Sequence, residues 1–131
     1  MGKLKIFCVT DVSSKLLEKL NLNLVGVGKK NFSKKYISVK KGINIQKKEK
    51  YYSELTFHYW FWQNKLKNYD KKTWIGFSQK RRFWIKNKIK ITSFEKLKNN
   101  LLTKVPPEWK NYDSVICKSI SVKKPPLSDV K

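Results

Sequence analysis

The first 30 residues pass from strand to helix to strand, and that order restricts the fold more than any other feature of the chain. Lys3–Thr10 (KLKIFCVT) is a short run of apolar and β-branched residues closed by the turn signal Thr10-Asp11. Ser13 or Ser14 then caps a helix over Lys15–Leu20 that carries Leu16, Leu17 and Leu20 on one face. Leu22–Val27 (LNLVGV) reads as a second strand, ended by Gly28. Strand, helix and strand in fewer than 30 residues argue for a parallel unit, which predicts an α/β fold.

The second structured stretch begins near Tyr51. Residues 51–84 hold twelve of the eighteen aromatics, the only histidine (His58) and both arginines (Arg81, Arg82). Tyr52, Leu55, Tyr59, Trp62 and Leu66 recur at spacings of three and four, the period of a buried helix face, over about Tyr51 to Tyr69. Phe57, Trp60 and Phe61 widen the apolar arc, so the helix is expected to be buried on more than one side. Thr73–Phe77 (TWIGF) then reads as a continuous apolar strand of the parallel-core kind.

The remaining stretches are plainer. Lys29–Lys50 reads as a lysine-rich excursion with a short strand at Tyr36–Val39. Lys88–Ile91 alternates basic and apolar residues, which suits an edge strand. Thr92 with Glu95 fits a capping box that opens a helix to about Thr103, and Tyr112–Cys117 (YDSVIC) predicts a last strand. Residues 1–117 are thus expected to form one domain, with 118–131 a loose tail.

The net charge of +22 comes almost entirely from lysine spread along the whole chain. Lys, Asn and Ile share A/T-rich codons, so gene base composition explains much of this charge; a polyanion partner or peripheral contact with a membrane through lysines are the other readings. Nucleic acid is disfavoured, because base and phosphate readers enrich arginine for its paired donors. Cys8 and Cys117 lie far apart in apolar runs, reading as buried thiols in a reducing cytoplasm. The opening residues carry no signal-peptide h-region, and no apolar run reaches transmembrane length.

In an open parallel sheet, ligands bind at the carboxyl ends of the strands. Two such ends are legible: Thr10-Asp11-Val12-Ser13, and Ser78-Gln79-Lys80-Arg81-Arg82. Hydroxyls and positive charge there suit a nucleotide diphosphate, which paired arginines can grip through bidentate, charge-assisted bonds. The other reading of Arg81 and Arg82 is a solvated pair, or one that meets Glu54 or Asp70. Glu54 is placed to orient Arg81 or touch a sugar hydroxyl, or else to serve as a carboxylate near a helix N-terminus. His58 has no second metal-type ligand nearby and reads as a packed residue. The sequence shows no D-x-D pair, no Walker loop and no glycine-rich dinucleotide fingerprint, so cations rather than a metal would neutralise a diphosphate.

Three blocks in order resemble a family of bacterial glycosyltransferase-type domains associated with capsular polysaccharide synthesis, long described as a domain of unknown function. They are Lys5–Thr10; Asn44-Ile45 with Tyr52-Ser53-Glu54-Leu55-Thr56 and Tyr59-Trp60-x-Trp62-x-Asn64; and Trp74–Phe77 leading to Arg81-Arg82-Phe83. The resemblance implies a GT-A/Rossmann-like fold that moves a sugar from a nucleotide-sugar donor to a glycan acceptor, in the cytoplasm or at the inner membrane face. It implies that Arg81 and Arg82 contact the diphosphate, Thr10 and Asp11 the nucleoside, and that Glu54 and Gln79 support them. Gln79-Lys80 stands where the family has His-Tyr, and Ser53 where it has Cys. Family domains run longer, so the chain reads as an incomplete, N-terminal part whose catalytic residues are not identified.

Overall fold

The computed structural model describes residues 2–117, and the expected tail at 118–131 lies outside them. Strands β1 (Leu4–Thr10), β2 (Asn23–Gly26), β3 (Ile37–Ser38) and β4 (Trp74–Gln79) form one sheet in the order β3-β2-β1-β4. Every pairing is parallel, with Val9 opposite Val25 and Phe7 opposite Phe77. The protein is therefore α/β with a Rossmann-like parallel core, as the strand–helix–strand opening predicts.

Strand alternation divides the core in two. Phe7, Val9, Val25 and Val27 face α3 (Leu55–Asn64), which packs on them through Phe57, Trp60 and Phe61, with Ile75 and Phe77 alongside. Cys8 and Leu24 face the other way, against Leu17 and Leu20 of the α1 region (Lys15–Lys19), Tyr36 and Leu101, with Phe94 and Leu97 of α4 (Phe94–Asn100) at the margin. Ser14 caps α1 by accepting a hydrogen bond from the Leu17 amide, which decides between the two candidate serines. Leu16 is exposed instead of joining the buried face.

The long aromatic helix is interrupted. It forms as α2 (Glu49–Tyr52), α3 and a single 3-10 turn over Leu66–Asn68. Ser53 makes the break by adopting φ +46°, a left-handed value that a side chain opposes. Of the two apolar arcs expected to be buried, only one is: Phe57, Trp60 and Phe61 are buried together with Thr56, while Tyr52, Leu55, Trp62 and Leu66 are exposed and Tyr59 is half-buried. Both stripes are apolar, so helical period could not choose between them. Polar anchors choose: Trp60 Nε1 donates to the Lys41 carbonyl (2.6 Å), and the Asn64 amide both donates to and accepts from Ile43 (2.8 and 3.2 Å).

The same loop shows that Lys29–Lys50 is less of an excursion than its lysines suggest. It supplies β3 and the buried residues Tyr36 and Val39. The Tyr36 hydroxyl bonds both the amide and the carbonyl of Ser14 (2.9 and 3.3 Å), tying this loop to the start of α1.

Three further expectations are corrected. Ser93, not Thr92, caps α4, accepting from the Lys96 amide at 3.2 Å; the extended Ser93 backbone puts its oxygen at the correct offset. Lys88–Ile91 forms no strand, since this segment pairs with no strand of the sheet. Tyr112–Cys117 forms none either, and Ile116 and Cys117 are exposed although Cys8 is buried.

Candidate functional site

The chain runs from β1 to β2 to β3 on one side of the sheet and returns to place β4 on the other side of β1. The carboxyl ends of β1 and β4 thus flank the topological switch point, where an open parallel sheet leaves a crevice. A crevice of about 180 Å³ lies there. Its lining comes from four places: Val9, Thr10 and Asp11 from the end of β1, Val27 after β2, Glu49, Ser53 and Glu54 from the α2–α3 junction, and Gln79 and Lys80 from the end of β4.

Two polar bonds cross this space. Lys80 Nζ donates to Asp11 Oδ1 at 2.6 Å and joins the ends of β1 and β4. Gln79 Nε2 donates to Glu54 Oε1 at 2.7 Å and joins β4 to the start of α3. Glu54 occupies the cap position of α3 but caps no amide, so its carboxylate is given to Gln79. The bonded Lys80 ammonium holds the Asp11 carboxyl below its ordinary range against some desolvation, and Lys30 adds a weaker attraction. Thr10 is almost fully buried, and its hydroxyl is engaged locally, donating to the Val12 carbonyl (2.7 Å) and accepting from the Val12 amide (3.2 Å). It therefore shapes the loop that presents Asp11.

Four of the six residues expected from the sequence meet here: Thr10, Asp11, Glu54 and Gln79. Arg81 and Arg82 do not line the crevice. Gln79 and Arg82 exchange backbone hydrogen bonds (3.2 and 3.1 Å), leaving Lys80 and Arg81 at the tip of a tight turn. That reversal brings Lys80 to Asp11 and leaves both arginines exposed, Arg82 beside Phe83 and Trp84 around a neighbouring groove. Sequence reasoning missed Lys80, Glu49 and Ser53 as lining residues. The first lay within the strand-end loop already singled out, and Ser53 lay within the Tyr52–Thr56 block, though not as a lining residue; Glu49 carried no signal, because it reaches the crevice only through the way the α2–α3 junction folds.

The chemistry of the lining is acidic in a very basic chain. Asp11, Glu49 and Glu54 are three of its nine carboxylates, and Lys80 is the single cation among the lining residues. Carboxylates accept hydrogen bonds from hydroxyls and repel phosphate, so the crevice suits a hydroxyl-bearing ring. Among the described residues, no group of three or more His, Cys, Asp or Glu side chains could hold a metal ion.

His58 stands beside this region with its ring 4.2 Å from that of Phe77. Burial pushes its pKa below 6.5, and the Glu54 charge opposes the shift. The unfolded chain then binds a proton near pH 6.5 that the folded chain refuses until lower pH. Stability is whole above the unfolded value and declines as pH falls through 6.5 towards the folded one. A melting series from about pH 8 to about pH 5 should show this decline, and His58→Phe should flatten that part of the slope. An unchanged slope in the variant would show that other groups cause it.

The fold and the crevice define the class: an α/β protein with a Rossmann-like core and a polar crevice at its switch point. Residues 5–128 match the model of a family described as a domain of unknown function, DUF4422, and the chain belongs to that family. No curated protein and no solved structure matches it.

Proposed function

We propose that this chain is a nucleotide-sugar-binding domain of glycosyltransferase type, acting in the synthesis of a glycan such as a capsular polysaccharide. One observation carries the reading: residues from three distant segments, Asp11, Glu54 and Gln79-Lys80, converge at the switch point where such folds hold their ligands. The crevice is smaller than the pockets that enclose whole drug-sized ligands, so it takes one ring of the donor, its hydroxyls on Asp11 and Glu54. The diphosphate then lies outside the rim, within reach of the solvent-facing Arg81 and Arg82, and no divalent metal is called for. The acceptor is a glycan.

Calorimetry with a panel of uridine-, guanosine- and thymidine-diphosphate sugars tests this. At least one should bind. Asp11→Asn with Glu54→Gln should weaken it by about tenfold or more, as should Arg81→Ala with Arg82→Ala. The reading fails if no sugar nucleotide binds, or if both double variants bind as the parent does.

A second reading, a non-enzymatic module for anionic glycan, lipid or nucleic acid, is favoured by a separate pocket of about 380 Å³. Lys30, Lys34 and Lys40 line it with no carboxylate, over a floor where the Phe32 ring lies against Tyr36. That reading predicts affinity that collapses with salt and ignores the identity of the sugar nucleotide.

A further inference from the structure

Helix α3 is apolar on both sides, and the sheet uses only one of them. Phe57, Trp60 and Phe61 face the core. Leu55, Tyr59 and Trp62, at offsets of four and seven, form the opposite face, and the Tyr59 and Trp62 rings pack 6.0 Å apart. Trp62 is 61% exposed and Leu55 52%. Tyr51 and Tyr52 before this face and Leu66 after it are exposed as well. A helix that is apolar all round belongs in an interior or against a membrane, and a bare aromatic stripe of this kind marks a contact surface.

The charges around the stripe specify what it contacts. Lys47, Lys48 and Lys50 precede it and Lys65 and Lys67 follow it. The two carboxylates of the same stretch, Glu49 and Glu54, line the crevice instead. An apolar face rich in Trp and Tyr and bracketed by lysines is complementary to an anionic bilayer surface, where aromatic rings settle at headgroup level and ammonium groups meet lipid phosphates. A second copy of the chain fits less well, because each copy carries +22. Spanning is ruled out for α3, which has ten residues, and no helix among the described residues is long and apolar enough to cross a membrane.

We propose that the outward face of α3 is a monotopic docking surface for an anionic lipid bilayer, the helix lying in the interface with Leu55 and Trp62 inserted. The surface is separate from the crevice, so failure of sugar-nucleotide binding would leave this proposal standing.

The test is co-sedimentation of the full chain with phosphatidylcholine vesicles, with and without phosphatidylglycerol. The chain should pellet with the anionic vesicles and not with the neutral ones. Leu55→Ser with Trp62→Ser should lower the partition coefficient about tenfold or more while leaving circular dichroism and melting unchanged, since both side chains face outward. Lys65→Gln with Lys67→Gln should lower it less and reduce its salt dependence. Three outcomes would overturn the proposal. The parent chain could ignore anionic vesicles; the Leu55/Trp62 variant could bind them as the parent does; or sedimentation velocity could reveal a lipid-free dimer that this variant dissociates.

Discussion

Phe57→Ala should cost about 3–5 kcal/mol of folding stability, because Phe57 is the largest fully buried side chain among the described residues. Phe57 is fully buried, and its ring lies 5.4 to 6.1 Å from those of Phe7, Trp60, Phe61 and Phe77. It thus joins α3 to β1 and β4 at once. Removing it opens a cavity among rigid aromatic rings that cannot collapse to fill it, so the cavity cost adds to the transfer cost. Small domains hold a margin of only about 5–15 kcal/mol, so much of the chain's stability would go. Urea unfolding followed by fluorescence should show a lower midpoint at unchanged slope. A loss under about 1 kcal/mol would mean that α3 does not form the sheet's cover.

Gly26→Val should cost about 3 kcal/mol through the opposite fault, too much atom in too little space. Gly26 ends β2, opposite Thr10, and the Phe32 ring fills the place where a Cβ would stand, with ring carbons at 2.5 to 2.7 Å. Phe32 cannot swing aside freely, because its ring is 5.1 Å from that of Tyr36, whose hydroxyl is bonded to Ser14. The diagnostic is coupling. In the Phe32→Ala background the valine has room, so the double variant should be about 1–2 kcal/mol more stable than the two single losses predict. Additive losses would show that the clash is not with Phe32.

The opening strand, α1 and β2 were legible because local signals agreed there: β-branched runs, a serine cap and a glycine stop. The aromatic helix was legible as a helix but not in its break or its facing. Nothing in the letters YYSELTF marks Ser53 for a left-handed backbone, and two apolar stripes satisfy the same period. Tyr112–Cys117 has the composition of a strand without being one among the described residues, since a strand exists only when a neighbouring edge pairs with it.

The candidate site divides the same way. That ligand chemistry should gather at the ends of β1 and β4 followed from reading two parallel strands, and Thr10, Asp11, Glu54 and Gln79 do line one crevice. The cation within it is Lys80 and not an arginine, because one turn between Gln79 and Arg82 reverses the chain.

By itself the sequence determined the α/β class and the parallel core, since strand–helix–strand over a short span leaves the chain no other compact route. Tertiary structure alone decided which face of α3 is buried, which residues close the crevice and which aromatic stripe stays bare. Those choices depend on bonds between segments far apart in the chain, such as Trp60 to Lys41, Lys80 to Asp11 and Gln79 to Glu54. Local propensity and periodicity carry no information about such partners.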